Sequence, residues 1–283
     1  METLKNKIDF AVIIHVKNAN PNGDPLNGNR PRINYDGLGE ISDVCIKRKI
    51  RNRLLEAGKA IFVQSDDNRV DGYRSLRARA DGELKDFQKD EERFQLEACK
   101  KWLDVRAFGQ VFAFKGGEDK GVSIGIRGPV SIHSAFSVSP VSVSSIQITK
   151  SVSGEGDGKR KASDTMGMKH RVDHGLYIFY GSINPQLADK TGFSEEDAES
   201  IKDALIHLFQ NDASSARPEG SMEVYKIYWW QHNCRNGQYP SAKVHRSLQV
   251  SVKPGVNEPR DTTDYDIKLE PLDGLTPEII DGF

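Results

Sequence analysis

The sequence predicts an α+β protein: one elaborated sheet domain over residues 1–283, with large insertions. Three observations predict it. The order of patterns is strand, helix, several strands, helix, strand. Residues 7–16 (KIDFAVIIHV) alternate, placing Phe10, Val12, Ile14 and Val16 on one face. A following segment repeats Ile46, Ile50 and Leu54 at i, i+4, i+8, the buried stripe of a helix. No internal repeat of fixed period and no sharp linker divides the chain.

Taken in order, the alternating segment is a first strand. Residues 17–40 are dense in Asn, Pro and Gly and form a long loop containing NANPNGDPLNGNRPR (18–32). Ser42 then caps a helix to about Ala57. Residues 64–82 are polar and irregular. Residues 83–105 read as one helix with Phe87, Phe94, Ala98 and Trp102 on one side. Residues 110–150, rich in Val, Ile and Ser, predict several strands interrupted by a turn at GGEDKG (116–121). SGEGDGKRKASD, within 151–170, reads as a loop or hairpin tip. GLYIFYGSI (175–183) is a strand. Ser194 with Asp197 gives a capping-box start to a helix whose core face is Ala198, Ile201, Leu205 and Leu208. VYKIYWW (224–230) and SLQVSV (247–252) complete the strands.

A hydrophobic fraction of 37% against 29% charged residues is a globular balance with a polar tilt, as long exposed loops require. No apolar run approaches the ~20 residues that span a bilayer, so no membrane partner is expected. The N-terminus lacks a signal-peptide cleavage pattern. Cys45, Cys99 and Cys234 are scattered and odd in number, which fits a reducing cytoplasm rather than a disulfide scaffold.

A net charge of −1 gives no general support for nucleic-acid binding, but charge is unevenly placed. KRKIRNR (47–53) holds five basic side chains and no acid, whereas the tail after Lys253 is acidic. On a helix, Arg48 and Asn52 lie opposite the apolar stripe, with Lys47 and Arg51 on one flank and Lys49 and Arg53 on the other. Such a helix suits a phosphate backbone; a solvated face is the plain alternative. The 18–32 loop offers amides for phosphates or serves as a crossover, and it matches neither a P-loop nor a dinucleotide loop. RAFGQVFA (106–113) partly echoes the RNP1 pattern, but Gln110 and Ala113 replace aromatics, so Phe108 is assigned to core packing. His170/His174 and His232/Cys234 lack further ligands with metal spacing, so no metal or cofactor is expected.

Together these segments resemble the backbone subunit of the type I-C CRISPR Cascade, of the RAMP superfamily. The resemblance rests on NANPNGDPLNGNRPRI and SDVCIKRKIRNRL within 18–54, DVRAFG (104–109), IRGPVSIHSAFSVSPV (126–141), SIQITK (145–150), TMGMKHRVDHGLYIFYGSI (165–183) and KTGF (190–193). It implies an RRM-like (ferredoxin-like) palm, a helical finger insertion at 58–103 and a protruding thumb β-hairpin at 145–172. It also implies copies stacked along a guide crRNA, with pairing between guide and target DNA reading the sequence. The implied partners are other copies of the chain, the crRNA-processing, large and small Cascade subunits, and a recruited helicase-nuclease. Carried onto this sequence, RNA contacts fall at Asn20, Asn22, Lys47, Arg48, Lys49, Arg51, Arg127, Met166, Lys169 and His170. SARPEGSM (215–222) receives no role. The implied protein is non-catalytic. Two alternatives stay open: an RNA-cutting RAMP subunit using Asp157 or Asp164, and a monomeric phosphate-ligand enzyme using the 18–32 loop.

Overall fold

The structure is a computed structural model describing residues 2–87, 90–113, 123–149 and 166–283. It is a mixed α+β fold around one large antiparallel sheet. Strand β1 (Ile8–Ala19) leads through a short hairpin, β2 (Gly23–Asp24) and β3 (Arg30–Pro31), to β4 (Leu38–Ile41) and helix α1 (Asp43–Glu56). Helices α2 (Leu76–Glu83), α3 (Glu91–Lys101) and α4 (Leu103–Phe108) follow. Next come β5 (Gly109–Ala113), β6 (Ser123–Arg127), β7 (Val130–Ile132), β8 (Ala135–Pro140), β9 (Val143–Thr149) and β10 (Met166–Ile183). Helices α5 (Pro185–Thr191) and α6 (Glu195–Ile206) precede β11 (Met222–Gln231), α7 (Ser241–Ser247), β12 (Leu248–Val252), β13 (Tyr265–Leu269) and β14 (Glu278–Asp281).

The main sheet runs β14-β11-β1-β10-β8-β4, with β7 and β9 also on β10. The period-2 alternation of β1 explains the layering. Phe10, Val12, Ile14 and Val16 pack with Ile46, Ile50 and Leu54 of α1 and with Ala198, Ile201 and Leu205 of α6. Ala11 and Ile13 face the other way, onto Val244 of α7, Leu248 of β12 and Tyr265 of β13. Both sheet faces are therefore covered. Gly181 of β10 permits this density: a Cβ there would stand 2.1 Å from the Phe10 ring, which stacks on Trp229 at 5.4 Å.

The expected single helix over 83–105 is broken. Trp102 is extended (φ −114°, ψ 121°) and ends α3, and the Leu103 N–H then bonds Ala60 O at 2.9 Å. The break lets Trp102, Phe94 and Ala98 fill a second core with Phe62, Phe112 and Ile124. The 106–113 stretch lies across the α4–β5 junction, outside the main sheet, with β5 pairing β6. The half-buried Phe108 packs against the main core. The capping box at Ser194 and Asp197 is present, and Arg106 adds a bidentate pair onto Asp197 at 2.8 and 2.7 Å. The turn read at 116–121 and the loop acids Asp157 and Asp164 lie outside the described residues.

Candidate nucleic-acid interface

Strand β1 ends at Ala19, opposite Val172, while β10 begins at Met166. The 166–171 part of β10 therefore runs beyond β1, paired with β9 from Met166↔Thr149 to Val172↔Val143. This projecting ladder exposes apolar side chains: Met166 is 62% exposed, Met168 55% and Ile148 48%.

At its foot lies a cleft of about 250 Å³ lined by Asn20, Gly28, Asn29, Ile148, Met168, Lys169, His170, Ser215 and Ala216. Among the described residues its lining includes Lys169 and His170 and no acid. His170 Nδ1 is 2.9 Å from Ser145 Oγ. A larger cleft, about 490 Å³, is lined by Lys17, Asp173, His174, Glu258, Arg260 and Tyr265 among others. Its charges are mixed, Asp173 and Glu258 against Lys17 and Arg260. Among the described residues the smaller cleft differs from the larger one in having a basic side chain, Lys169, and no carboxylate in its lining.

The Asn-rich loop is built by its own amides. Asn20 Nδ2 donates to Asn29 O at 2.7 Å, and the Asn20 N–H donates to Ala216 O at 2.9 Å. Asn20 is buried, and its Oδ1 has no hydrogen-bond donor among the described residues. Asn22 Oδ1 accepts from Ser42 N–H (2.9 Å) and Ser42 O–H (2.8 Å). Ser42 thus stands at the N-cap position of α1 without a side-chain bond to the helix; its hydroxyl ties the helix to the loop.

The basic helix differs from its expected form. Lys49 is buried against Asp212 and beneath Phe209, 5.3 Å from the ring centroid. Burial lowers the pKa of its ammonium below the ordinary lysine value, against the raising influence of Asp212. Arg51 Nε donates to Asp104 at 2.9 Å and stacks over Phe108. Asp104 also accepts from Phe62 N–H and Val63 N–H, so Arg51 joins α1 to the second core. Arg53 Nη1 bonds Glu56 and Gln210 O, each at 2.7 Å. Lys47 pairs with Asp43 at 2.9 Å, one turn back. Arg48 is exposed; it makes no salt bridge among the described residues, but its charge contributes, after Ser65, to lowering the pKa of Asp67. The partners of Lys49 and Arg51 are far away in sequence, so a helix that reads as uniformly basic is largely neutralised by its tertiary contacts.

Asn20, Lys169 and His170 therefore come together in the cleft, and Asn22 braces its loop. Met166 is on the projecting ladder, with Gln147 Nε2 3.1 Å from its sulfur. Arg127 is exposed on β6, away from the cleft lining. Sequence reading passed over Ser215 and Ala216, whose small side chains form the third wall and give no local signal. Among the described residues no cluster of His, Cys, Asp or Glu fits a metal ion, and no helix is long and apolar enough to cross a membrane.

Fold and site together define a mixed α+β sheet protein with a cleft at the foot of a projecting strand ladder, lined among the described residues by Lys169 and His170 and by no acid. A family model described as CRISPR-associated protein Cas7 matches residues 6–270, and the chain belongs to that family. A relative in Haloferax volcanii, described as CRISPR-associated protein Cas7, is 26% identical over 232 residues, covering 75% of this chain and 67% of the relative. A chain of a solved CRISPR RNA-guided surveillance complex, pre-nicking, is 16% identical, with a TM-score of 0.48 over 79% of this chain and 75% of that one. A second such complex gives 15% identity and a TM-score of 0.43 over 79% and 68%.

Proposed function

We propose that the chain is a non-catalytic backbone subunit of a type I-C CRISPR surveillance complex, binding guide crRNA by its sugar-phosphate backbone in the cytoplasm. Several copies stack along one guide and present segments of it for pairing with target DNA. The crRNA-processing, large and small subunits complete the particle, which recruits a helicase-nuclease. In this reading the main sheet is an RRM-like palm, β1 neighboured by β10 and β11 with α1 and α6 on one face. The β9–β10 ladder is the base of the thumb, and the second core is the finger.

The observation that carries the reading is the cleft itself: the Lys169 cation beside His170, with no acid among the described lining residues, next to exposed Met166 and Met168. Cations hold phosphates, and flexible apolar side chains suit a displaced base. In a familiar RRM the open sheet face stacks bases. Here α7 and the β12–β13 pair cover that face, which leaves the RNA to the sheet's end and its projection.

The test is binding of single-stranded RNA against a mononucleotide, with Lys169→Glu and Arg48→Glu variants. Retention of long RNA with no measurable nucleotide binding, and loss on charge reversal, is the expected result. Tight nucleotide binding by a monomer, indifferent to both substitutions, returns the phosphate-ligand enzyme. Cleavage of RNA by the purified complex, lost when Asp157 and Asp164 become Ala, returns the cutting subunit.

A further inference from the structure

We propose that Lys49 is a positioning residue for the RNA cleft: through Asp212 it ties the 211–218 loop to α1 and so fixes the wall made by Ser215 and Ala216. The inference rests on the reading of that cleft as an RNA site.

Lys49 sits among the apolar stripe of α1, its side chain 1% exposed, and its ammonium is on the Asp212 carboxylate. A phosphate cannot reach it without dismantling the packing over Phe209. A buried ion pair between a helix and a loop fixes their relative position, because separating the charges leaves each one uncompensated. Asp212 Oδ2 also accepts from Arg217 Nε at 3.0 Å. The loop closes on itself, Ser214 N–H to Arg217 O at 2.8 Å and Arg217 N–H to Ser214 O at 3.1 Å. Its next carbonyl inward, Ala216 O, accepts from the Asn20 N–H, and Asn20 holds Asn29. One chain of contacts therefore leads from Lys49 to two walls of the cleft. Other clamps from α1, Arg53 on Gln210 O and Glu56 with Asn211, act at the start of the loop; Lys49 acts nearer the cleft.

The experiment uses the full chain and a single-stranded RNA probe. In Lys49→Met, affinity falls about tenfold, the size of an ordinary coupling between sites. The slope of log affinity against log salt stays at the wild-type value, because no phosphate contact is removed. Exchange of the Asn20 amide, whose acceptor is on the loop, speeds up, while the Val12 and Ile14 amides of β1 keep their rates. Lys49→Arg, which keeps the charge, restores affinity. Asp212→Asn behaves like Lys49→Met, and the double variant is no worse than either single one. A slope shallower by about 0.7 in Lys49→Met would make Lys49 a direct phosphate contact and overturn the proposal. Wild-type affinity, or faster exchange at Val12 and Ile14 as well, overturns it too. Lys169→Ala separates the two readings. If it lowers affinity and slope while Lys49→Met binds normally, only the positioning role fails. If it changes neither, the cleft is not the RNA site.

Discussion

His232 Nε2 lies 2.9 Å from Asp9 Oδ2, with both side chains fully buried. His232 Nδ1 accepts from the Gln238 N–H at 2.9 Å, so its Nε2–H is the donor to Asp9. Lys7 Nζ reaches the same carboxylate oxygen at 3.0 Å. The cluster joins β1 to the segment that leads into α7, and α7 helps cover the Ala11 and Ile13 face of the main sheet.

Burial by itself raises the Asp9 pKa; the His232 and Lys7 contacts outweigh it and hold the carboxyl below its usual range. Asp9→Ala removes the shared acceptor and leaves Lys7 and His232 without it. It is expected to cost about 3 kcal/mol. Urea denaturation checks this; a change within experimental error would mean that the cluster is incidental to stability.

Acid sensitivity is expected from His174. Burial first, and the neighbouring His15 second, lower its pKa from 6.5 to about 4. Between those values the unfolded chain binds a proton that the folded chain does not, so stability rises with pH across the window. The contribution is full above pH 6.5 and is lost as pH falls toward about 4. Melting temperatures of wild type and His174→Gln over this range report it: the wild-type slope is steeper. Parallel curves would contradict the burial assignment.

The two arginines of α1 separate fold from function. Arg51→Glu sets a second carboxylate against buried Asp104 and is expected to cost at least about 3 kcal/mol. Arg48→Glu should leave stability within about 0.5 kcal/mol. It should instead weaken RNA binding and reduce the salt slope by about 0.7 per phosphate contact removed. Thermal melts and salt-dependent binding measure the two effects, and equal destabilisation by both variants would refute the distinction.

Gly181→Ala drives a methyl into the Phe10 ring and, through it, against Trp229. Overpacking of this kind costs about 1–3 kcal/mol. Chemical denaturation of the variant gives the value. Wild-type stability would show that the sheet yields easily at this point.

Periodic features were legible in the sequence because they depend on local geometry. The β1 alternation, the Ile46–Ile50–Leu54 stripe and the Ser194–Asp197 box all appear as read. Tertiary pairings were not. The charges on Lys49 and Arg51 looked free because Asp212 and Asp104 are remote in sequence and follow no period. The break at Trp102 was hidden because its apolar spacing continues across it. Part of the acidic tail serves the fold: Asp281 pairs with Lys226, and Glu278 with Lys202. The YDIKL strand at 265–269 was passed over within that same acidic run. Of the site, the cationic and amide residues were named from the family resemblance; the small-residue wall at Ser215 and Ala216 has no chemistry a sequence announces.

The most direct test of the central claim is co-expression of the chain with its guide, followed by sizing and nuclease footprinting of the product. The account predicts a large ribonucleoprotein in which several copies protect the RNA at regular intervals, lost together when Lys169 and Arg48 are reversed to Glu. A monomer that leaves the guide uniformly open to nuclease would contradict it.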